Sequence, residues 1–184
     1  MVDLSTEVIT GRVCFDDVNI WKDKAINVDN FEYSVCLLIP KSDGKTLSDI
    51  RKAIENAKKI GINILDNKLN LNIESPLKDG LEKSKDEIYK GCYFINAINI
   101  NQPVILDKFN KPINNKEEFY NGCYGYASIN FYAFNDNVNK GITCKINTII
   151  KTDDGDLQNN KLNDLVDMSC IEAIKLEGSG SFMV

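Results

Sequence analysis

Residues 120–134, YNGCYGYASINFYAF from Tyr120 to Phe134, decide how this chain folds. Read as an extended strand, the stretch alternates. Ala127, Ile129, Phe131 and Ala133 fall on one side, and Tyr124, Tyr126, Ser128, Asn130, Tyr132 and Phe134 on the other. Successive strand residues point to opposite faces, so one face is apolar and the other carries rings with polar tips. A solvated strand face rich in tyrosine is uncommon unless something flat stacks on it, and nucleic-acid bases are the commonest flat partners. Tyrosine also favours strands for packing reasons alone, so half-buried packing is the competing reading of each ring.

Working outward, residues 135–141 have hairpin composition and Ile142 to Lys151 reads as the partner strand. Its alternation puts Ile142, Cys144, Ile146 and Ile150 inside, with Thr143, Lys145, Asn147 and Lys151 outside. Upstream, CYFINAI (Cys92 to Ile98) is another strand, and Val104 to Leu106 a short one after Pro103. Ile9 to Phe15 alternates like a strand with one buried face, and FEYSVCLLI (Phe31 to Ile39) is a more hydrophobic strand ended by Pro40. One helix is clear, over Thr46 to Gly61. Leu47, Ile50, Ile54 and Ala57 recur at helical spacing, Thr46 with Asp49 resembles a capping box, and Gly61 suits the C-terminal cap. Ser75 to Gly80 reads as a turn, and the mixed charges of Glu82 to Glu87 as a solvated run. The sum is an all-β chain, β-rich with one or two helices, closing into a small OB-fold-like β-barrel. Residues 1–151 form that domain. Residues 152–184 form a moderately acidic C-terminal segment, with a short helix around Leu162 to Ser169 and a flexible end, GSGSFMV.

Composition narrows the chemistry. The chain of 184 residues has no histidine, which excludes Ser-His-Asp and Cys-His catalysis. None of its six cysteines forms a CxxC pair, so no structural zinc site is expected, and no other metal or cofactor is. Gly122 and Gly125 are not followed by GK[ST], so they make no phosphate loop. Asp153-Asp154-Gly155-Asp156 lacks the spacing and final glutamate of a calcium loop and reads as a turn. No apolar run nears the ~20 residues that cross a bilayer, and no secretory signal opens the chain, so a cytoplasmic location in a bacterial host cell is expected. The net charge is −5, which looks wrong for a nucleic-acid binder. Yet seven acids and two bases lie from Thr152 onward, so the body is neutral and the C-terminal region carries the whole excess.

A single-strand site needs ring faces for bases and cations beside them for phosphates. Tyr124, Tyr126 and Tyr132 supply rings, with Lys145 and Lys151 on the partner strand. Tyr89, Lys90 and Tyr93 add to them from the segment YKGCYF, and Arg12 completes the groove from the first strand. Phe94, Phe131 and Phe134 read as core, and Trp21 either caps the barrel or touches nucleic acid. Rings and cations without base-reading groups imply weak sequence preference. Two other classes stand beside this one. A protein-interaction or virion-associated module would use the same barrel, and a carboxylate-dependent nuclease would need clustered acids that no spacing here provides.

Several stretches then become recognisable: LLIPKSD (Leu37 to Asp43), SPLKDG (Ser75 to Gly80), YKGCYFINA (Tyr89 to Ala97), EFYNGCYGYASINFYAFN (Glu118 to Asn135) and NKGI (Asn139 to Ile142). In this order they resemble the phage and prophage single-stranded-DNA-binding proteins typified by an Enterobacter phage replication protein. The resemblance covers roughly Gly11 to Lys151. It implies an oligonucleotide-binding fold, a role in replication or recombination, and binding rather than catalysis. It also implies partners: single-stranded DNA, and replication proteins such as a polymerase, helicase or primase met through an acidic tail that occupies the groove when DNA is absent. A homodimer is compatible with it. Here residues 178–184 carry no charge, although Phe182 echoes tails that end in an aromatic residue. Tyr126 stands where some relatives carry a base, which trades a phosphate contact for stacking.

Overall fold

The computed structural model describes residues 4–21, 32–65, 73–83, 87–136 and 139–155. Eight strands and one α-helix run along them: β1 (Glu7–Ile9), β2 (Val13–Asn19), β3 (Tyr33–Pro40), α1 (Gly44–Ile60), β4 (Lys78–Asp79), β5 (Cys92–Asn99), β6 (Val104–Leu106), β7 (Tyr124–Asn135) and β8 (Lys140–Asp153). Neighbours pair in the order β7-β2-β3-β5-β8, and β8 pairs back onto β7, so five strands close a ring. The pairings are antiparallel except those of β5 and β6 with β8. β1, β4 and β6 are short additions to β7, β5 and β8.

The ring encloses one core, and its inward residues are those the alternation selects. Ala127, Ile129, Phe131 and Ala133 of β7 meet Ile142, Cys144 and Ile146 of β8 and Leu37, Ile39 and Ile95 of β3 and β5. Phe15 and Phe119 lie edge to face with centroids 5.1 Å apart. Trp21 caps this core half-buried, its indole N–H donating to the Phe119 carbonyl at 3.0 Å. α1 lays Leu47, Ile50, Ala53, Ile54 and Ala57 against the ring. All five described cysteines are buried thiols.

Several local expectations are corrected. The strand read over Ile9 to Phe15 is broken at Thr10-Gly11-Arg12. β1 and β2 therefore lie one after the other along β7, at Ser128–Asn130 and at Tyr124-Gly125. The break is useful: the Thr10 hydroxyl accepts from the Ala127 amide at 3.0 Å, and the Gly11 amide donates to the Thr46 hydroxyl at 2.7 Å, tying the strand break to α1. Thr46 is consequently not the N-cap. The cap is Asp43, whose carboxylate accepts from the Thr46 amide at 3.0 Å.

In β8 a register slip leaves Ser128 opposite Thr148 and Ile129 opposite Ile146. One extra residue reverses the alternation beyond it. Ile149, not Ile150, therefore joins the core, and Ile150 packs outside the ring with Leu106 and Tyr126. The slip also puts Lys151 out of phase with Lys145, although both were read as facing outward. At Gly125 β7 comes so close to β8 that any Cβ would strike the Ile150 carbonyl, which requires glycine there. Phe94 is buried outside the ring rather than in its core, and Phe134 is half-buried. β8 runs to Asp153, past the boundary drawn at residue 151. The expected acidic helix and the end GSGSFMV lie outside the described residues.

Candidate nucleic-acid interface

The outer face of β3 and β5 divides into an open and a covered half. Register gives the open half directly. Asn19, Ser34, Ile98, Lys145 and Asn130 follow one another across β2, β3, β5, β8 and β7. A second row runs beside it: Asn96, whose partner Cys36 is buried beneath Tyr89, then Thr143 and Tyr132. Asn96 is exposed, Ser34, Ile98, Lys145 and Asn130 are half-buried, and Tyr132 is 41% exposed. Burial first, and the Glu32 carboxylate second, raise the Tyr132 phenol above its ordinary pKa, so the ring stays neutral at working pH. The open half therefore offers a neutral ring, an isoleucine, amides and hydroxyls, and one ammonium, with the Glu32 carboxylate near the ring.

The covered half lies at the other end of the same strands. Tyr124, Cys14, Leu38 and Phe94 face one another across β7, β2, β3 and β5. The 3-10 turn at Glu87–Tyr89 lies over them, with the Tyr89 ring edge to face with Phe94 at 5.4 Å. Tyr89 is 2% exposed, and its hydroxyl donates to Asp16 at 2.8 Å and accepts from Lys83 at 3.0 Å. The Lys83 ammonium stands over both rings, 4.5 Å from the Tyr89 centroid and 5.0 Å from that of Phe94. Arg12 lies 4.4 Å over the Tyr124 ring and pairs with Asp153 at 3.1 Å. Burial pushes the Cys14 thiol up to about 12, Asp16 adding to the shift, and the Cys36 thiol up to about 11.

The nine residues singled out in the sequence thus separate. Tyr132 and Lys145 share the open half. Arg12, Tyr124 and Tyr89 meet in the covered half, where Tyr124 is 8% exposed and Tyr89 presents no open ring face. Lys90 is exposed beside it and pairs with Glu87. Tyr126, 2% exposed, is enclosed by Leu106, Ile150 and Ile9 on another side of the ring. Tyr93 packs against the core at the rim, with the Lys41 ammonium 5.2 Å and the Arg51 guanidinium 5.5 Å from its centroid. Lys151 sits at the end of β8, 5.4 Å from the Tyr120 ring, and bonds the Glu118 carbonyl and the Asp154 carboxylate. Lys151 first and the Tyr120 hydroxyl second hold the Asp154 carboxyl below its ordinary pKa.

Sequence reasoning missed Asn96 and Ile98, which only strand pairing brings beside Lys145. It also missed Lys83, read there as part of a solvated charge run. Among the described residues, no three His, Cys, Asp or Glu side chains gather as a metal group, and no helix is long and apolar enough to cross a membrane.

Comparison with known proteins follows the same line. The single-stranded DNA-binding protein of bacteriophage Enc34, truncated at its C-terminus, superposes with a TM-score of 0.70 at 21% identity, over 82% of this chain and 88% of that one. The same phage protein in complex with ssDNA gives 0.63 at 20% identity, over 84% and 90%. Bacteriophage T7 gp2.5, a single-stranded DNA-binding protein, gives 0.57 at 12% identity, over 87% and 97%. These likenesses establish the fold. A comparison with curated proteins gave no match. The model of the family described as "Enterobacter phage Enc34, ssDNA-binding protein" matches residues 6–167, and the chain belongs to that family.

Proposed function

We propose that this protein binds single-stranded DNA with little sequence preference and protects it during phage or prophage replication and recombination in the cytoplasm of the bacterial host. The observation that carries the reading is the open half of the β3–β5 outer face, where Tyr132 and Lys145 lie on one surface with Ile98, Asn96 and Asn130. Oligonucleotide-binding barrels hold their ligand on the face of their second and third strands and on the loops that border it. In this ring those strands are β3 and β5, and the β7–β8 hairpin rises beside them.

The chemistry suits the ligand. A stacked base gains about 1–3 kcal/mol on a ring, whatever its identity. Lys145 is placed for a phosphate oxygen. Asn96, Thr143 and Asn130 add hydrogen-bonding groups without a fixed pattern that would read one base. The ring through the end of β8 at Asp153 forms the binding unit in this reading, and the residues that follow are its acidic appendage toward replication proteins.

A gel-shift comparison of oligo-dT, a mixed-sequence single strand and a duplex of equal length tests this. Both single strands should bind alike and the duplex much more weakly. No single-strand binding at low salt, with or without residues 156–184, would refute it; nuclease-resistant capture of protein partners would then favour the interaction-module reading.

A further inference from the structure

Phe109 is 70% exposed, at the tip of the turn Asp107-Lys108-Phe109-Asn110-Lys111. A lone exposed apolar side chain is ordinary; two features set this one apart. The first is how firmly the turn is built. The Asp107 carboxylate accepts from the Phe109 amide at 2.8 Å and from the Lys111 amide at 2.9 Å. The Asp107 amide donates to the Lys111 carbonyl at 2.9 Å, and the Asn110 amide to the Asp107 carbonyl at 3.0 Å. Asn110 takes a left-handed φ of 60°, a conformation asparagine tolerates best after glycine. Below the turn, Leu106 bridges Pro112 and the Ile113 amide donates to the Ile105 carbonyl at 2.8 Å. The ring is thus held out on a fixed backbone, and a ligand that meets it orders little.

The second feature is charge. Lys108 and Lys111 flank the ring, and the Lys108 ammonium lies 5.4 Å from its centroid. β6 runs parallel to β8 with Leu106 opposite Ile150, which puts Asp107 level with Lys151. Lys151 faces Gly125, and Gly125 faces Val13 beside Arg12. One end of the ring therefore carries Arg12 and Lys151, each already paired with a carboxylate (Asp153 and Asp154), and beyond them Lys108, Phe109 and Lys111. Along β8, Lys151 lies about 20 Å from Lys145 in the open half, at ~3.3 Å per residue.

The geometry points to the Phe109 turn as a second stacking point for the same single strand, reached only by ligands long enough to leave the open half and pass this end of the ring. The inference rests on the single-strand reading above. Charge complementarity favours a polyanion over an apolar protein surface: the Lys108 ammonium stands 5.4 Å from the ring centroid, and Asn110 and Lys111 follow the ring in sequence.

The test compares wild type, Phe109→Ala and Phe109→Trp on labelled oligo-dT of about 5 and about 16 nucleotides, the ends of the site-size range for such folds. Phe109→Ala should leave the short ligand unaffected and weaken the long one about 5-fold or more, the value of one stacked base. Phe109→Trp should restore long-ligand affinity. Because the ring is exposed, all three should melt alike. Equal affinities of wild type and Phe109→Ala on both lengths would overturn the inference while leaving the single-strand reading in place. Failure of wild type to bind either length would overturn both. A change in sedimentation of Phe109→Ala without DNA, with unchanged affinity, would assign the ring to contact with a second copy instead.

Discussion

Tyr132→Ala, paired with Lys145→Gln, separates binding from folding most cleanly. Tyr132 is 41% exposed and lies opposite Thr143 on the outer face, so its ring lies outside the core formed by the neighbouring Phe131 and Ala133. Truncating it removes a surface worth about 1–3 kcal/mol per stacked base. At 1.4 kcal/mol per decade, that is a loss of about 5-fold to 100-fold in Kd. The folded state loses little, since less apolar area leaves water at this site than at a buried ring. Lys145→Gln removes one phosphate contact, and the slope of log K against log salt should shrink by about 0.7, the single-strand value per contact. Anisotropy of labelled oligo-dT across a salt series, beside thermal melts of both variants, reads these numbers together. If Tyr132→Ala lowers the melting temperature as much as a core truncation and leaves Kd unchanged, the ring is packing and the reasoning fails. An unaltered salt slope in Lys145→Gln would remove Lys145 from the site.

Three further outcomes follow from the covered half and its rim. Asp153→Asn removes the carboxylate that engages Arg12 over Tyr124; an exposed pair is worth about 0–1 kcal/mol, so affinity for oligo-dT should rise by up to about 5-fold, and a fall would show that the pair positions Arg12 for DNA rather than competing with it. Tyr89→Phe leaves Asp16 and Lys83 without their shared hydroxyl and should cost about 1–3 kcal/mol in urea unfolding; an unchanged midpoint would mean that water replaces the hydroxyl. The thiols set an alkaline limit. Cys14 and Cys36 are raised to about 12 and about 11 when folded, against ~8.5 in an unfolded chain. Their burial therefore stabilises fully below about pH 8.5, and that stability drains as pH rises toward 11 and 12. Melting temperature should fall across this window and fall less in Cys14→Ala; a flat profile to pH 11 would contradict the burial.

Much of the fold was legible because strand alternation is a local signal. Ala127, Ile129, Phe131 and Ala133 point into the core as their spacing says, and the α1 stripe of Leu47, Ile50, Ile54 and Ala57 packs as written. What stayed hidden depends on partners distant in sequence. The slip near Ser128 that turns Ile150 outward exists only where β7 and β8 pair. Asp43, rather than Thr46, caps α1 because the helix begins at Gly44, which frees the Thr46 hydroxyl to accept from Gly11, 35 residues away. The candidate site was half legible for the same reason. Tyr132 and Lys145 emerge together because hairpin pairing is local. Tyr124 and Tyr126 looked like a platform because polar-tipped rings on one strand face suggest exposure, and Tyr89 joined it from a separate segment. The Glu87–Tyr89 turn and β6 cover that face instead, and nothing in the alternation announces a cover.

In the proposed reading the open outer face of β3, β5, β8 and β7 holds the single strand. Amide chemical shifts recorded while oligo-dT is added at low salt test it most directly, since the chain of 20.7 kDa is within reach of solution NMR. The largest changes should fall at Ser34, Asn96, Ile98, Asn130, Tyr132, Thr143 and Lys145, with the exposed side of α1 unmoved. Saturable shifts that map to α1 and leave those seven residues in place, or no shifts at all, would contradict it.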